Sequence, residues 1–375
     1  MKIISTNPEV TFDDVLFLAQ KADFDMSEEK TKINLKTKVS KKIEIDIPIL
    51  SSPMPGVTEA QMAIAMAEMG GMGYIHGFDG FENQLKQVAE AKSKKIKVAA
   101  TVGELSVSGL KHIGDLLNLG TDIICIYTYH SLNTPTLKFI KEVRKKYPKA
   151  QLSTGPIATK EAVVELAKSG IDSLNVGIGP GSHCTTRLVT GVGRPQLSAV
   201  LECSKAAKKY KIPIISEGGI KYPGDLAKAL AFGASAVMIG GMFSGTEESP
   251  GEIIKIDGKK YKNTWGMCSK KAITSNDSDN KNFLEKNLHL LKSKVKNIVF
   301  SNKSQSLTPG NEALEEGVEA LVEYKGSVKP ILNKLTGGLR RSLWYQGAHD
   351  IAELQEKARL VLISDNTNLE NIPRI

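Results

Sequence analysis

The sequence has few cysteines, few aromatic residues and no long hydrophobic run. Its four cysteines (Cys125, Cys184, Cys203 and Cys268) form no Cys-x-x-Cys pair, which argues against a disulfide framework. No apolar run approaches the roughly 18 residues that a membrane span needs, and the opening residues do not resemble a signal peptide. We therefore expect a cytoplasmic protein in a reducing compartment, with no membrane partner.

Acidic residues are the scarcer charge: 41 Asp and Glu stand against 50 Lys and Arg, a net charge of +9. The lysines are spread out, and the two short runs at 92–95 and 292–296 have no interleaved aromatic residues. No nucleic-acid-binding motif accompanies them. We expect no nucleic-acid partner, because the cation excess also suits a small anionic substrate.

Short apolar runs recur through the first two thirds of the chain, most of them about 23 to 28 residues apart, which is the length of one strand, one helix and two loops. These runs predict eight strands: Ile47–Met54, Gly71–His76, Lys97–Gly103, Asp122–Thr128, Ala150–Pro156, Ser173–Gly179, Ile212–Gly219 and Ala236–Phe243. Helical periodicity lies between them, as in Thr58–Gly70, Lys160–Ser169 and Pro223–Phe232. Eight such units predict an α/β fold, a closed (β/α)8 TIM barrel, with an open doubly wound sheet as the rival.

The rhythm stops after the eighth strand. Residues from about 274 to 315 are rich in Asn, Ser and Lys, which is typical of a mobile flap. Beyond it, the sequence predicts renewed order from Glu316, a turn at Gly337-Gly338 and a helix over Asp350–Leu360. No linker divides the chain, so we expect one domain over residues 1–375, with C-terminal helices added to the barrel.

A glycine-rich loop, Gly177–Arg187, holds Cys184 between hydroxyl side chains and a cation. Glycines let the backbone approach a ligand closely, and a nearby Arg can help to lower a thiol's pKa. In barrels of this kind the chemistry lies on loops at the C-terminal ends of the strands. The loop therefore predicts a reactive thiol rather than an inert structural cysteine.

Two glycine pairs follow the seventh and eighth predicted strands, Gly218-Gly219 and Gly240-Gly241. Barrels often hold a phosphate at these two strand ends, on backbone amides and a helix N-terminus. The sequence therefore predicts a phosphate site there. His76 ends a strand and is predicted to be a satisfied interior residue, and His183 to face solvent or substrate. Because no His-x-x-His spacing occurs, we expect no metal centre.

These motifs together resemble the IMP dehydrogenase/GMP reductase family over nearly the whole chain. The resemblance rests on Thr11–Leu16, Ser52–Met54, Val57–Ala60, Gly179–Ser182, Cys184–Arg187, Thr190–Gly193, Gly218–Ile220, Pro223–Asp225, Glu247–Glu252, Tyr324–Val328 and Gly337–Arg340. The regulatory tandem-domain insertion of most dehydrogenases in the family is missing, because Phe81–Gly103 runs without interruption.

The resemblance implies a purine nucleotide oxidoreductase in which Cys184 adds to C2 of the base and a nicotinamide cofactor exchanges a hydride there. It also implies catalytic roles for Thr186, which handles the leaving or entering group, and for Glu316, which contacts the purine edge and assists proton transfer. Glu217 stands where the family usually has an aspartate that holds the ribose hydroxyls. A homotetramer is the family's usual assembly, and we expect one here.

The resemblance further implies three sets of contacts. The substrate, GMP or IMP, is expected to contact Ser52, Met54, Ser182, Glu217, Gly218, Gly219, Gly240, Gly241, Met267, Cys268 and Gly317. The cofactor is expected to contact Tyr127, Thr128, Gly177 and Gly179. Backbone carbonyls of Gly179, Gly181 and Cys184 are expected to hold a monovalent cation, K⁺.

The reductase and the dehydrogenase differ in how the covalent adduct is resolved. The family's dehydrogenases use an Arg-Tyr pair on the flap to activate water, but no Arg or Tyr occurs between Met267 and Glu316. We therefore predict reductive deamination of GMP to IMP and ammonia with NADPH. IMP dehydrogenation with NAD and water is the alternative.

Four departures from the family pattern fall on the cofactor side. Tyr127 replaces an aspartate, Pro156 replaces an asparagine, Gly77 follows His76 in place of a lysine, and Pro55-Gly56 replaces an Asp-Thr or Asp-Ser pair. They predict a remodelled cofactor pocket. A third hypothesis therefore stays open, a nucleotide-binding relative with altered or no redox activity.

Overall fold

The computed structural model of the chain describes residues 8–267, 269, 316–364 and 367. Its strands are β1 (Val15–Phe17), β2 (Thr37–Lys38), β3 (Glu44–Ile45), β4 (Ile49–Ser51), β5 (Met72–Ile75), β6 (Val98–Val102), β7 (Ile123–Tyr127), β8 (Leu152–Ile157), β9 (Ser173–Val176), β10 (Ile214–Glu217), β11 (Ala236–Ile239), β12 (Ile254–Ile256), β13 (Lys259–Trp265), β14 (Glu319–Glu323) and β15 (Leu360–Leu362).

The α-helices alternate with the central strands and continue beyond them. They are α1 (Glu29–Lys32), α2 (Ala60–Glu68), α3 (Phe81–Ser93), α4 (Val107–Asn118), α5 (Thr134–Lys146), α6 (Lys160–Lys168), α7 (Thr186–Thr190), α8 (Gln196–Ala207), α9 (Pro223–Ala231), α10 (Lys329–Tyr345) and α11 (Ile351–Lys357). Short 3-10 turns span Phe12–Asp14, Met26–Glu28 and Lys208–Tyr210.

The strands β4 to β11 form a closed parallel barrel, in which β11 pairs with β4 through Val237 and Ile49. Nearly every barrel-strand residue is buried, as expected for parallel strands that are covered by helices on the outside and filled by side chains within. All eight predicted strands are present, and the predicted (β/α)8 TIM barrel is confirmed.

Two of the cysteines are buried and unreactive. Cys125 lies inside the barrel with Tyr74 and Met238, and burial raises the pKa of its thiol to about 12. Cys203 on α8 is also buried, and burial again raises the pKa of the thiol to about 12. Both are therefore core residues that stay protonated at neutral pH.

The predicted helices over 58–70, 160–169 and 223–232 match α2, α6 and α9 to within two residues at each end. The first turn of α6 is capped by Thr159, whose hydroxyl accepts the N–H of Ala162. In α9, Pro223 occupies the first turn, where its missing N–H costs nothing. Between 81 and 103 the chain forms only α3 and β6, so no domain is inserted there.

The predicted turn at Gly337-Gly338 is wrong, because both glycines lie inside α10. The apolar stripe Leu332, Leu335, Leu339 and Leu343 is fully buried and holds the segment in a helix despite the glycines' poor propensity. At position 338 a Cβ would lie 2.3 Å from Pro223 Cβ on α9. A glycine at this position therefore lets the two helices approach closely.

The predicted C-terminal helix is too long. Asp350 is its N-cap, α11 ends at Lys357, and Leu360 already belongs to β15. The predicted flap, 274–315, lies outside the described residues. The prediction of one domain over the whole chain stays a prediction.

The two outer segments of the chain meet beside the barrel. β1 pairs antiparallel with β15, with Val15 opposite Leu362. Gln346 is buried beneath this sheet; its amide donates to Leu18 O and accepts from Gln20 Nε2 and Arg359 N. Among the described residues, no helix has the length and apolar character that would let it span a bilayer.

Candidate active site

Cys184 lies on the loop between β9 and α7, and its side chain is exposed. The thiol donates to Thr186 Oγ1 at 3.2 Å, and the Cys184 N–H donates to Gly181 O at 3.1 Å. The turn therefore fixes the sulfur beside a hydroxyl that can donate back to a thiolate.

The segment that follows residue 315 is paired with this loop. Gly317 forms an antiparallel bridge with Cys184, Thr185 N–H donates to Glu316 O at 3.0 Å, and Val318 N–H donates to His183 O at 3.0 Å. These bonds bring Glu316 to the cysteine loop from 132 residues further along the chain, a juxtaposition that the resemblance implies and the fold now provides.

A single cavity of about 680 Å³ contains the predicted site. Its volume falls in the range of small-molecule sites. It is lined by the predicted residues Cys184, Thr186, Glu316, Ser52, Met54, Ser182, Glu217, Gly218, Gly219, Gly240, Gly241, Met267, Gly317, Tyr127, Thr128, Gly177, Gly179 and Gly181. Cys268 lies outside the described residues. The individual roles of the lining residues stay predictions.

The loops at one end of the cavity are in close contact through their glycines. A Cβ on Gly241 would lie 2.3 Å from Ser182 Oγ, and one on Gly218 would lie 3.1 Å from Gly181 N. Gly218 and Gly219 also have positive φ angles of 88° and 83°. Only glycine allows the loops to approach this closely, which leaves their amides near a shared space where a phosphate would be held.

Two lysines that were not among the predicted site residues line the same cavity, Lys221 and Lys325. Lys325 Nζ donates to the carbonyl oxygens of Gly241, Met242 and Ser244, so it braces the loop after β11. Burial lowers the pKa of Lys325. Lys221 Nζ pairs with Asp13 at 2.9 Å. The signal for Lys325 was its place in the Tyr324–Val328 motif.

Glu217 ends β10 and is buried in the cavity wall. Tyr127, at the end of β7, donates its hydroxyl to Glu217 Oε1 at 2.7 Å. Burial raises the pKa of Glu217 to about 7, and the hydrogen bond from Tyr127 and the nearby Asn175 amide oppose this rise. A carboxyl with this environment in a cleft is typical of a functional group.

The cavity lining also includes two aromatic rings. Phe78 and Tyr129, here called the aromatic wall, line the cavity together with Gly103, Thr128 and Pro156. The Pro156 peptide is cis. Of the altered positions predicted for the cofactor side, Tyr127 and Pro156 line the cavity, whereas Pro55, Gly56 and Gly77 are not among its lining residues.

His183 is buried rather than facing solvent, which corrects one of its two predicted roles. Its Nδ1 lies 3.1 Å from Ser182 Oγ. Burial, aided by Lys325, lowers the pKa of His183, so the ring is neutral at pH 7 and cannot pair with a thiolate as a cation.

Arg187 Nε donates to Ile178 O at 3.4 Å and therefore braces the loop.

Glu59, His76 and Asp79 form a cluster that spacing rules did not reveal, with their ligand atoms within 4.8 Å of one another. His76 Nε2 lies 3.6 Å from Glu59 Oε1. His76 Nδ1, however, accepts the N–H of Phe78 at 3.3 Å, so in the neutral ring the proton sits on Nε2, the atom that faces the carboxylates. This tautomer disfavours a metal ion there.

Comparison with known proteins agrees with this geometry. A family model described as "IMP dehydrogenase / GMP reductase domain" matches residues 9–374. Inosine-5'-monophosphate dehydrogenase of Borreliella burgdorferi is 35% identical, over 98% of this chain and 97% of the relative. The enzymes of the same name from Cryptosporidium parvum (34%, over 95% and 92%) and Methanocaldococcus jannaschii (32%, over 99% and 96%) are also similar.

Proposed function

Because the chain belongs to the IMP dehydrogenase/GMP reductase family, we propose that it oxidises IMP to XMP with NAD⁺ and water. The observation that carries the proposal is the exposed Cys184 thiol, which is hydrogen-bonded to Thr186 in the cavity that contains the glycine-rich loops, while the Cys184 backbone forms a β-bridge with Gly317. The relatives' names favour the dehydrogenase over the GMP reductase and NADPH that the motifs predict.

The 5′-phosphate of IMP would lie on the loops that carry Ser182, Gly219 and Gly241. Their exposed amides and the positive charge of Lys325 favour an anion there. Glu217, on the neighbouring wall, accepts hydroxyl donors from the ribose. The purine then extends toward Cys184, where Met267 and Gly317 line the cavity.

The reaction proceeds in two stages at C2 of the purine. The Cys184 thiolate forms a bond to C2, and the hydride on C2 leaves with two electrons. Water then adds to C2 and the carbon–sulfur bond breaks, which returns the thiolate and releases XMP and a proton. Thr186, which contacts the sulfur, and Glu316, which lines the same cavity, are the groups that would bind this water and accept its proton.

The residues present fit a nicotinamide cofactor on the aromatic wall. Phe78 and Tyr129 offer flat surfaces, and Thr128 offers a hydroxyl, within the same cavity as Cys184. When bound, nicotinamide accepts the hydride from C2. The chain's own part is to hold C2 and the sulfur in line and to keep this wall dry enough for the transfer.

The primary test is NADH formation from IMP and NAD⁺, followed at 340 nm, with XMP identified by mass spectrometry. A burst of NADH with the purine retained on Cys184 supports the covalent route. NADH formation by wild type and not by Cys184→Ser is the expected result, and equal rates in both proteins would overturn it.

GMP reduction is the second candidate, since no Arg or Tyr occurs between Met267 and Glu316 to activate water. NADPH oxidation on addition of GMP, with one ammonia released for each IMP formed, would identify it. Nucleotide binding without turnover with either cofactor would support the third hypothesis, in which Tyr127 and Pro156 mark a cofactor wall that no longer serves redox chemistry.

A further inference from the structure

Tyr127 and Glu217 come from different strands, β7 and β10, and are 90 residues apart in sequence. Their side chains meet across the cavity wall through one short hydrogen bond from the Tyr127 hydroxyl to Glu217 Oε1. Tyr127 is half-buried and Glu217 is buried, so water competes poorly for this bond. A hydrogen bond to a charged group in such surroundings is stronger than one between neutral groups.

The second carboxylate oxygen is in an unusual position. Glu217 Oε2 is buried and has no hydrogen-bond partner among the described residues. The Asn175 amide lies close enough to lower the pKa of Glu217, and its own Oδ1 is likewise buried without a partner. A buried acceptor without a donor is costly, so the position of this carboxylate depends strongly on the one donor that it does have.

We propose that Tyr127 is a positioning residue that holds Glu217 as the ionised acceptor for the ribose hydroxyls of the nucleotide. The proposal rests on the proposed function, because it takes a nucleotide as the ligand. Tyr127 was predicted to contact the cofactor; in this proposal it instead supports substrate binding, through Glu217. The two positions at which this sequence departs from the family pattern, Tyr127 and Glu217, are then coupled: the tyrosine positions the glutamate.

The coupling predicts a pH signature. Groups that face Glu217 are the Tyr127 hydroxyl, the Asn175 amide and, inside the barrel, Tyr74 and Cys125. Burial raises the pKa of both Tyr74 and Cys125, so neither titrates near neutrality. Without the Tyr127 hydroxyl the pKa of Glu217 rises further, and the loss of nucleotide affinity on acidification should begin at a higher pH.

The test measures the affinity of IMP and of its 2′,3′-dideoxy analogue by calorimetry, for wild type and Tyr127→Phe. Phenylalanine keeps the ring and removes only the hydroxyl. IMP should bind about tenfold more weakly to the variant, whereas the dideoxy analogue should lose less than about twofold. The pH at which IMP affinity falls on acidification should be about one unit higher in the variant than in wild type.

Two further proteins complete the design. In a Glu217→Gln background, adding Tyr127→Phe should leave the pH profile unchanged, because no carboxyl remains to titrate. Tyr345→Phe, at the exposed end of α10, is the matched control and should bind both nucleotides as wild type does.

An equal loss of affinity for IMP and the dideoxy analogue would overturn the positioning role. So would an unchanged pH dependence of IMP affinity in Tyr127→Phe. That result leaves the proposed function standing if wild type still forms NADH from IMP. If wild type binds neither nucleotide, the positioning role and the proposed function fall together, and the absence of NADH formation identifies that case.

Discussion

Glu217 is a buried carboxyl whose ionised form its surroundings disfavour. Burial raises its pKa from the ordinary 4.5 to about 7, with Tyr127 and Asn175 opposing the shift. Below pH 4.5 the carboxyl is protonated in both the folded and the unfolded chain, so it costs nothing. Between about pH 4.5 and 7 the unfolded chain ionises first, and stability falls as the pH rises.

Glu217→Gln should therefore stabilise the protein at pH 8 by up to about 3 kcal/mol, since each pKa unit corresponds to about 1.4 kcal/mol. The advantage should shrink to nearly nothing at about pH 4, where the carboxyl is largely protonated in both states. Urea denaturation at both pH values measures it, and Glu142→Gln on the exposed face of α5 is the control. A stability difference that does not depend on pH would contradict the assignment of the shift to this carboxyl.

The thiols give a second prediction at the residue scale. Cys184→Ser should reduce IMP turnover by on the order of 10³-fold or more, because the nucleophile is lost, while IMP affinity changes little. Cys203→Ala, a core thiol on α8, should retain activity. Alkylation at pH 7 should label Cys184 ahead of Cys125 and Cys203, whose pKa values burial raises to about 12. Labelling of either core thiol at the same rate as Cys184 would overturn this assignment.

At the scale of elements, α10 contains adjacent glycines with opposite surroundings. Nothing lies within 4 Å of a Cβ built on Gly337, whereas one on Gly338 would lie 2.3 Å from Pro223 Cβ. Gly337→Ala should stabilise the protein by about 0.5–1 kcal/mol through helix propensity. Gly338→Ala should destabilise it by about 1–3 kcal/mol, because it overpacks the contact with α9.

Thermal or urea denaturation of the two variants measures the difference, and each serves as the other's control. Destabilisation by both substitutions would mean that α10 ends before Gly337, as the sequence predicts. Stabilisation by both would mean that α9 and α10 are further apart than the structure places them.

The barrel strands were predictable because strands buried on both sides appear as uninterrupted apolar runs at regular spacing. The continuation of α10 through Gly337 and Gly338 was not, because adjacent glycines favour a turn locally and the contact of Gly338 with Pro223 is a tertiary one. The cysteine loop and the glycine pairs were predictable as local patterns. The bond from Tyr127 to Glu217 was not, since it joins two strands through side chains and leaves no trace in local sequence.

For the whole molecule, Gln346 is the buried link between the beginning and the end of the chain. Its side chain donates to Leu18 O and accepts from Gln20 Nε2 and Arg359 N. Gln346→Leu would remove the partner of Leu18 O and of Arg359 N, whereas Gln20 Nε2 would keep its bond to Lys357 O. The substitution should cost about 2–4 kcal/mol.

The same substitution should expose the early segment to protease. Trypsin should cleave after Lys21 faster in Gln346→Leu than in wild type, and faster than in Gln61→Ala, a control on the exposed face of α2. Unchanged cleavage together with unchanged stability would show that β1 and β15 hold the segment without this amide.

The pairing of β1 with β15 also determines how the molecule would respond to force. Because Val15, the first residue of β1, lies opposite Leu362, the last residue of β15, the chain enters and leaves this small sheet at the same end of the strand pair. Traction on the two ends would open its backbone bonds one after another, as a zipper opens, instead of shearing them together. In an optical trap this sheet should peel away once the contacts of Glu9 with Arg194 and of Val10 with Ser198 have broken, and the barrel should rupture later as a separate step.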